Sequence, residues 1–95
     1  MRNYEIMYIV RPNLEEEGRK ALIETFNNVF TNMQSEVTEI KEWGMRDLAY
    51  PIQDFTKGYY VVMNVNSTIE ARNEFDRLVK ISEDIIRSIV VKQEA

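Results

Sequence analysis

Cysteine and histidine are both missing from this 95-residue sequence. Without cysteine there is no disulfide framework, no thiolate nucleophile and no cysteine-based zinc site. Without histidine the usual general base near neutral pH and the commonest metal ligand are gone as well. Proline occurs twice and glycine three times, too rarely for a linker or a collagen-like chain. No apolar run reaches the ~18 residues of a membrane-spanning helix. No basic-then-apolar leader opens the chain: Met1-Arg2-Asn3-Tyr4 runs straight into an alternating segment, so a cytoplasmic setting is expected. Basic charge is scarce too, 12 Lys and Arg against 16 Asp and Glu, for a net −4 and a pI near 4.9. Binding driven by phosphate neutralisation needs an excess of cations. Any nucleic-acid contact therefore has to come from a local patch, or be shared with a basic partner.

What is present suits one small domain over residues 1–95, with 93–95 expected as a free tail. Hydrophobic residues make up 44% and aromatics 11%, which excludes a disordered chain. Arg2 to Val10 alternates as a strand, with Tyr4, Ile6, Tyr8 and Val10 on one face and Glu5, Met7 and Ile9 on the other. Pro12 stops it. Asn13 then offers a helix cap with Glu16 three residues on, followed by an apolar stripe of Leu22, Phe26, Val29, Phe30 and Met33. Strand spacing returns over Glu36 to Ile52, with a bulge or bend expected near Gly44. Gln53 to Gly58 reads as a turn and Tyr59 to Asn66 as a third strand. Ser67 and Glu70 predict a second capping box, leading into the stripe Ala71, Phe75, Leu78 and Val79. Ile85 to Lys92 is a fourth strand. The order β-α-β-β-α-β predicts an α+β, ferredoxin-like sandwich: a four-stranded, mainly antiparallel sheet with two helices on one face.

One sheet face is then left without helices. With Val61, Met63 and Val65 read inward, Tyr60 and Val62 point outward. Met7 and Ile9 do so on the first strand, and Val90 on the fourth if Ile89 and Val91 point inward. Met7, Ile9, Tyr60, Val62 and Val90 are the candidate protein-binding patch.

Enzymatic chemistry finds no support. No nucleophile–histidine pair can form, no metal-loop spacing occurs, and Gly18, Gly44 and Gly58 are too far apart to cradle a phosphate. No cofactor and no small-molecule substrate are expected. Lys57-Gly58-Tyr59 opens like an RNA-recognition signature. Its aromatic positions, Tyr59 and Val61, fall on the face read as buried, so the likeness reads as accidental. Arg2, Arg46, Lys57, Arg87 and Lys92 sit on strands or strand ends and are the candidate phosphate contacts. Arg19, Lys20, Arg72, Arg77 and Lys80 lie on the helices among acids and read as a solvated surface.

Three segments resemble a known family. They are the opening M-R-N-Y-E-I-M-Y-I-V-R-P-N-L, the run Trp43-Gly44-Met45-Arg46-Asp47-Leu48-Ala49-Tyr50-Pro51-Ile52, and the end from Lys80 to Lys92. Together they resemble the bacterial ribosomal small-subunit protein six family over nearly the whole chain. The resemblance implies a structural role on the same sandwich fold. It further implies binding to the central domain of small-subunit rRNA during assembly, as a heterodimer with the small, basic ribosomal protein eighteen. It supports Arg46 as an RNA or partner contact. Many members carry a second basic residue next in the segment; here Asp47 stands there, either weakening an RNA contact or pairing with a basic residue of the partner. The alternative from the residues alone is a small-ligand regulatory domain of the same fold.

Overall fold

Four strands with apolar alternation and two amphipathic helices account for nearly every residue. In the computed structural model, which describes residues 1–93, they are β1 (Arg2–Val10), α1 (Glu16–Asn32), β2 (Glu36–Ile52), β3 (Phe55–Ser67), α2 (Ile69–Ile81) and β4 (Ile85–Gln93). The sheet order is β2-β3-β1-β4, every pairing antiparallel. This is the expected ferredoxin-like sandwich, with β1 and β3 in the centre. One core joins both layers: Tyr4, Ile6, Tyr8 and Val10 of β1 and Val61, Met63 and Val65 of β3 pack with Ile23, Phe26 and Phe30 of α1 and Ala71, Phe75 and Val79 of α2. Phe26 meets Tyr8 edge-on at 5.2 Å and Phe75 at 5.3 Å, the geometry ring quadrupoles favour.

Several local expectations need correction. Helix α1 begins at Glu16, and its cap residue Glu15 makes no side-chain cap bond. Asn13 instead accepts a hydrogen bond from Arg11 Nη1 at 2.9 Å. At the other end Gln34 turns left-handed (φ 61°) and Ser35 N donates to Phe30 O at 2.8 Å, closing α1 as a Schellman motif does. Ser67 is buried at the end of β3 rather than capping α2; the cap is Thr68, whose Oγ1 accepts from Ala71 N at 3.1 Å.

The predicted turn over residues 53–58 shrinks to Gln53 and Asp54, both at positive φ as a tight two-residue hairpin requires. Gly58 lies within β3, where a Cβ would run into Ile9 Cγ2. Lys57-Gly58 is therefore strand, not turn. The bulge expected near Gly44 is there, between Glu42 and Gly44, with Gly44 at φ 87°. Of the expected tail, Gln93 pairs with Asn3 in β4; 94 and 95 lie outside the described residues.

Candidate partner and nucleic-acid interface

The sheet face away from the helices is built by β1, β3 and β4, with an overhang from β2. Met7 and Ile9 stand opposite Val62 and Tyr60 of β3, and opposite Ile89 and Arg87 of β4. The β4 assignment corrects the sequence reading. Val90 pairs with Ile6, so it belongs to the helix-side layer and packs on the core. Ile89 and Val91 point to the open face instead. The cause is a bulge where Ile9 pairs with Arg87 but Val10 pairs with Ile85. The extra residue, Ile86, inverts the alternation for everything after it. Because Ile, Ile, Val and Val fill both parities of this strand, the pattern itself gave no sign of the inversion.

The second correction is coverage. Asp47 pairs with Lys57 and Ile52 with Phe55, so Leu48 to Pro51 have a single residue opposite them. This excess chain arches over the face. Leu48, Ala49, Tyr50 and Ile52 share a recess of about 140 Å³ with Met7, Ile9, Tyr60, Arg87 and Ile89, well below the ~300 Å³ at which small-ligand sites begin. Arg87 Nη1 donates to Tyr50 Oη at 3.0 Å, tying β2 to β4 across the two central strands. Ile9 is consequently 3% exposed and Val62 8%, and neither offers a surface in the free chain. Met7 and Tyr60 are half-buried.

The apolar surface that remains is one the sequence reading missed: Trp43 at 46% exposed, Tyr50 at 58%, Ile89 at 37% and Val91 at 51%. Trp43 is stacked on Tyr60 at 6.4 Å and 12° between planes. The one available signal was a tryptophan beside the bulge glycine, where the strand turns its side chain out of the ladder.

The five candidate cations do not converge. Arg46 lies on β2 with its guanidinium 5.2 Å from the Trp43 ring centre, at the end of the face where Arg87 sits. Lys57 pairs with Asp47 at 3.9 Å, both well exposed. That pair is worth little, but it gives Asp47 a partner within its own chain. Arg2 and Lys92 lie at the far end of the sheet. They stand opposite Ser67 and Tyr4 respectively and so belong to the helix-side register, ~17–24 Å along the strands from Arg87. On the helix side, Glu42 Oε1 accepts from Tyr59 Oη at 2.8 Å, and Arg19 lies 3.9 Å over the Tyr59 ring. Burial, then the Glu42 contact, raises the Tyr59 phenol above its ordinary value despite Arg19. Among the described residues no group of His, Cys, Asp and Glu could hold a metal ion, and no helix is long and apolar enough to cross a membrane.

The sandwich as a whole has counterparts among solved structures. The chain superposes on the crystal structure of 30S ribosomal protein S6 from Thermotoga maritima with a TM-score of 0.91 and 28% identity, covering 97% of this chain and 87% of that one. A crystallised Arabidopsis thaliana protein shares the fold alone, at TM-score 0.58 and 9% identity over 100% of this chain and 95% of that one. The class is thus a structural, non-enzymatic protein of the small ribosomal subunit. The family model described as Ribosomal protein S6 matches residues 3–92, and the chain belongs to that family.

Proposed function

We propose that the chain binds small-subunit rRNA during assembly, in the cytoplasm, paired with the small basic ribosomal protein eighteen. The observation that carries this is the unfinished sheet face. Trp43, Tyr50, Ile89 and Val91 leave apolar area exposed beside Arg46 and Arg87. Such a surface, on a chain of net −4, suits a cationic protein that covers the apolar part and adds charge for RNA. The arginines at the rim then contact phosphates, which position the pair on folded RNA rather than read its sequence.

Filter binding to rRNA with and without the purified partner tests the pairing; the partner should tighten binding by orders of magnitude, and equal affinity would overturn the reading. Ile89→Asp should abolish pull-down of the partner by placing an unpaired charge in the contact. Arg87→Ala should spare pull-down, weaken rRNA binding and flatten its salt dependence.

A further inference from the structure

We propose that Tyr50 is a positioning residue for Arg87: its hydroxyl holds the guanidinium on the open face and leaves one hydrogen-bonding edge free for a phosphate. The inference rests on the rRNA reading above and adds a residue that acts through the arginine rather than on the RNA. Two separate departures from regular pairing bring these side chains together. On β4 the extra residue Ile86 puts Arg87 opposite Ile9, on the open face. Had the pairing of Val10 with Ile85 continued unbroken, Arg87 would stand opposite Tyr8, on the helix side. On β2 the excess chain between Asp47 and Ile52 carries Tyr50 over the central strands. Pro51 follows it and restricts Tyr50 to an extended backbone, which narrows the directions open to its ring. Both side chains line the recess with Met7, Ile9 and Ile89. There Arg87 Nη1 donates to Tyr50 Oη at 3.0 Å, across 37 positions of sequence.

Which nitrogen is engaged decides what remains. A guanidinium carries its N–H donors in one fixed plane, and the side-on edge, Nε with Nη2, matches two oxygens of a carboxylate or phosphate. Tyr50 takes Nη1, the nitrogen outside that edge. Arg77 shows the same edge in use within this chain, where Nε and Nη2 hold the two oxygens of Glu74 at 2.6 and 2.9 Å. On Arg87, Nε and Nη2 have no acceptor among the described residues. An arginine on an exposed strand loses rotamer freedom when it grips an anion, and that loss subtracts from affinity. The hydrogen bond to Tyr50 orders the side chain beforehand. A phenol hydroxyl accepts without bringing a negative charge, so it fixes the guanidinium and leaves its attraction for a phosphate intact. A carboxylate at the same place would oppose that attraction. A lysine ammonium in place of Arg87 has no planar fork to hold the phenol and two phosphate oxygens at once.

The test is a double-mutant cycle on small-subunit rRNA binding at several salt concentrations, with ribosomal protein eighteen added to saturation for every variant. Tyr50→Phe keeps the ring and removes the hydroxyl; it should lower rRNA affinity about two- to tenfold, the range for ordering one long side chain. The slope of log K against log salt should stay at the wild-type value, since no cation is lost. Arg87→Ala should lower both affinity and slope. The double variant should bind no more weakly than Arg87→Ala alone, because the hydroxyl acts only through the arginine. Arg87→Lys should keep the slope but not the affinity. An equal loss from Tyr50→Phe with and without Arg87 would show the hydroxyl serving the arch or the partner contact, and would overturn the assignment. So would wild-type affinity in Tyr50→Phe beside a weakened Arg87→Ala, an outcome that leaves the rRNA reading standing. Wild-type affinity and slope in Arg87→Ala would remove the assignment together with the arginine's part in that reading.

Discussion

Tyr8 shows how much a single side chain can decide. Its ring is buried between Phe26 and Phe75 at the centre of the core, and its hydroxyl has no hydrogen-bond partner among the described residues. A buried hydroxyl left unpaired costs free energy that a phenyl group does not. Tyr8→Phe should therefore stabilise the protein by up to about 1 kcal/mol in urea melts at neutral pH. Burial, with Glu42 a smaller cause, raises the Tyr8 phenol far above its ordinary value of 10.0. The unfolded chain loses this proton near pH 10 and the folded chain keeps it. Stability is therefore complete below that pH and falls as pH rises beyond it. Melts at rising alkaline pH should show this decline, and a smaller one in Tyr8→Phe. Gly58 is decided by space: its Cβ would meet Ile9, so Gly58→Ala should destabilise by about 1–3 kcal/mol, read by the same melts.

At the scale of elements, helix ends and strand parity were the places where sequence patterns misled. Asn13 and Ser67 each looked like a cap, since both residue types serve as caps and both precede a suitably spaced Glu. Geometry chose Thr68 in one case and no side chain in the other. Thr68→Ala should cost about 1 kcal/mol in thermal melts, and Asn13→Ala under about 0.5. The helix stripes were legible because Phe26, Phe30, Phe75 and Val79 recur at one period and a misplaced face would bury charge. On β4 no such penalty marks the wrong choice. Its apolar residues fall on both parities, and one bulge exchanged Val90 for Ile89 and Val91.

Over the whole molecule, the open face divides into a part the chain covers for itself and a part left exposed. Val62 belongs to the first and Val91 to the second. Val62→Asp should unfold or severely destabilise the isolated protein, because it buries a charge beneath neighbouring strands. Val91→Asp should leave its melting temperature within a degree or two while abolishing partner capture. Circular dichroism melts of the two variants measure where that boundary runs. The reverse pattern would place the self-covered part at the edge.

Composition and periodicity alone determined the element order, the inward face of β1, β3 and both helices, and an acidic surface without histidine or cysteine chemistry. Each follows from local sequence, since burying a repeating apolar stripe admits only one facing. The sequence also contained the cations and aromatics of the candidate sites, but not their grouping. Tertiary structure decided that the excess residues Leu48 to Pro51 fold back over Ile9, that Arg87 reaches Tyr50, and that Arg72 lies over the Tyr4 ring. These depend on register shifts and on contacts between residues tens of positions apart. No short window of sequence carries the energy that selects them.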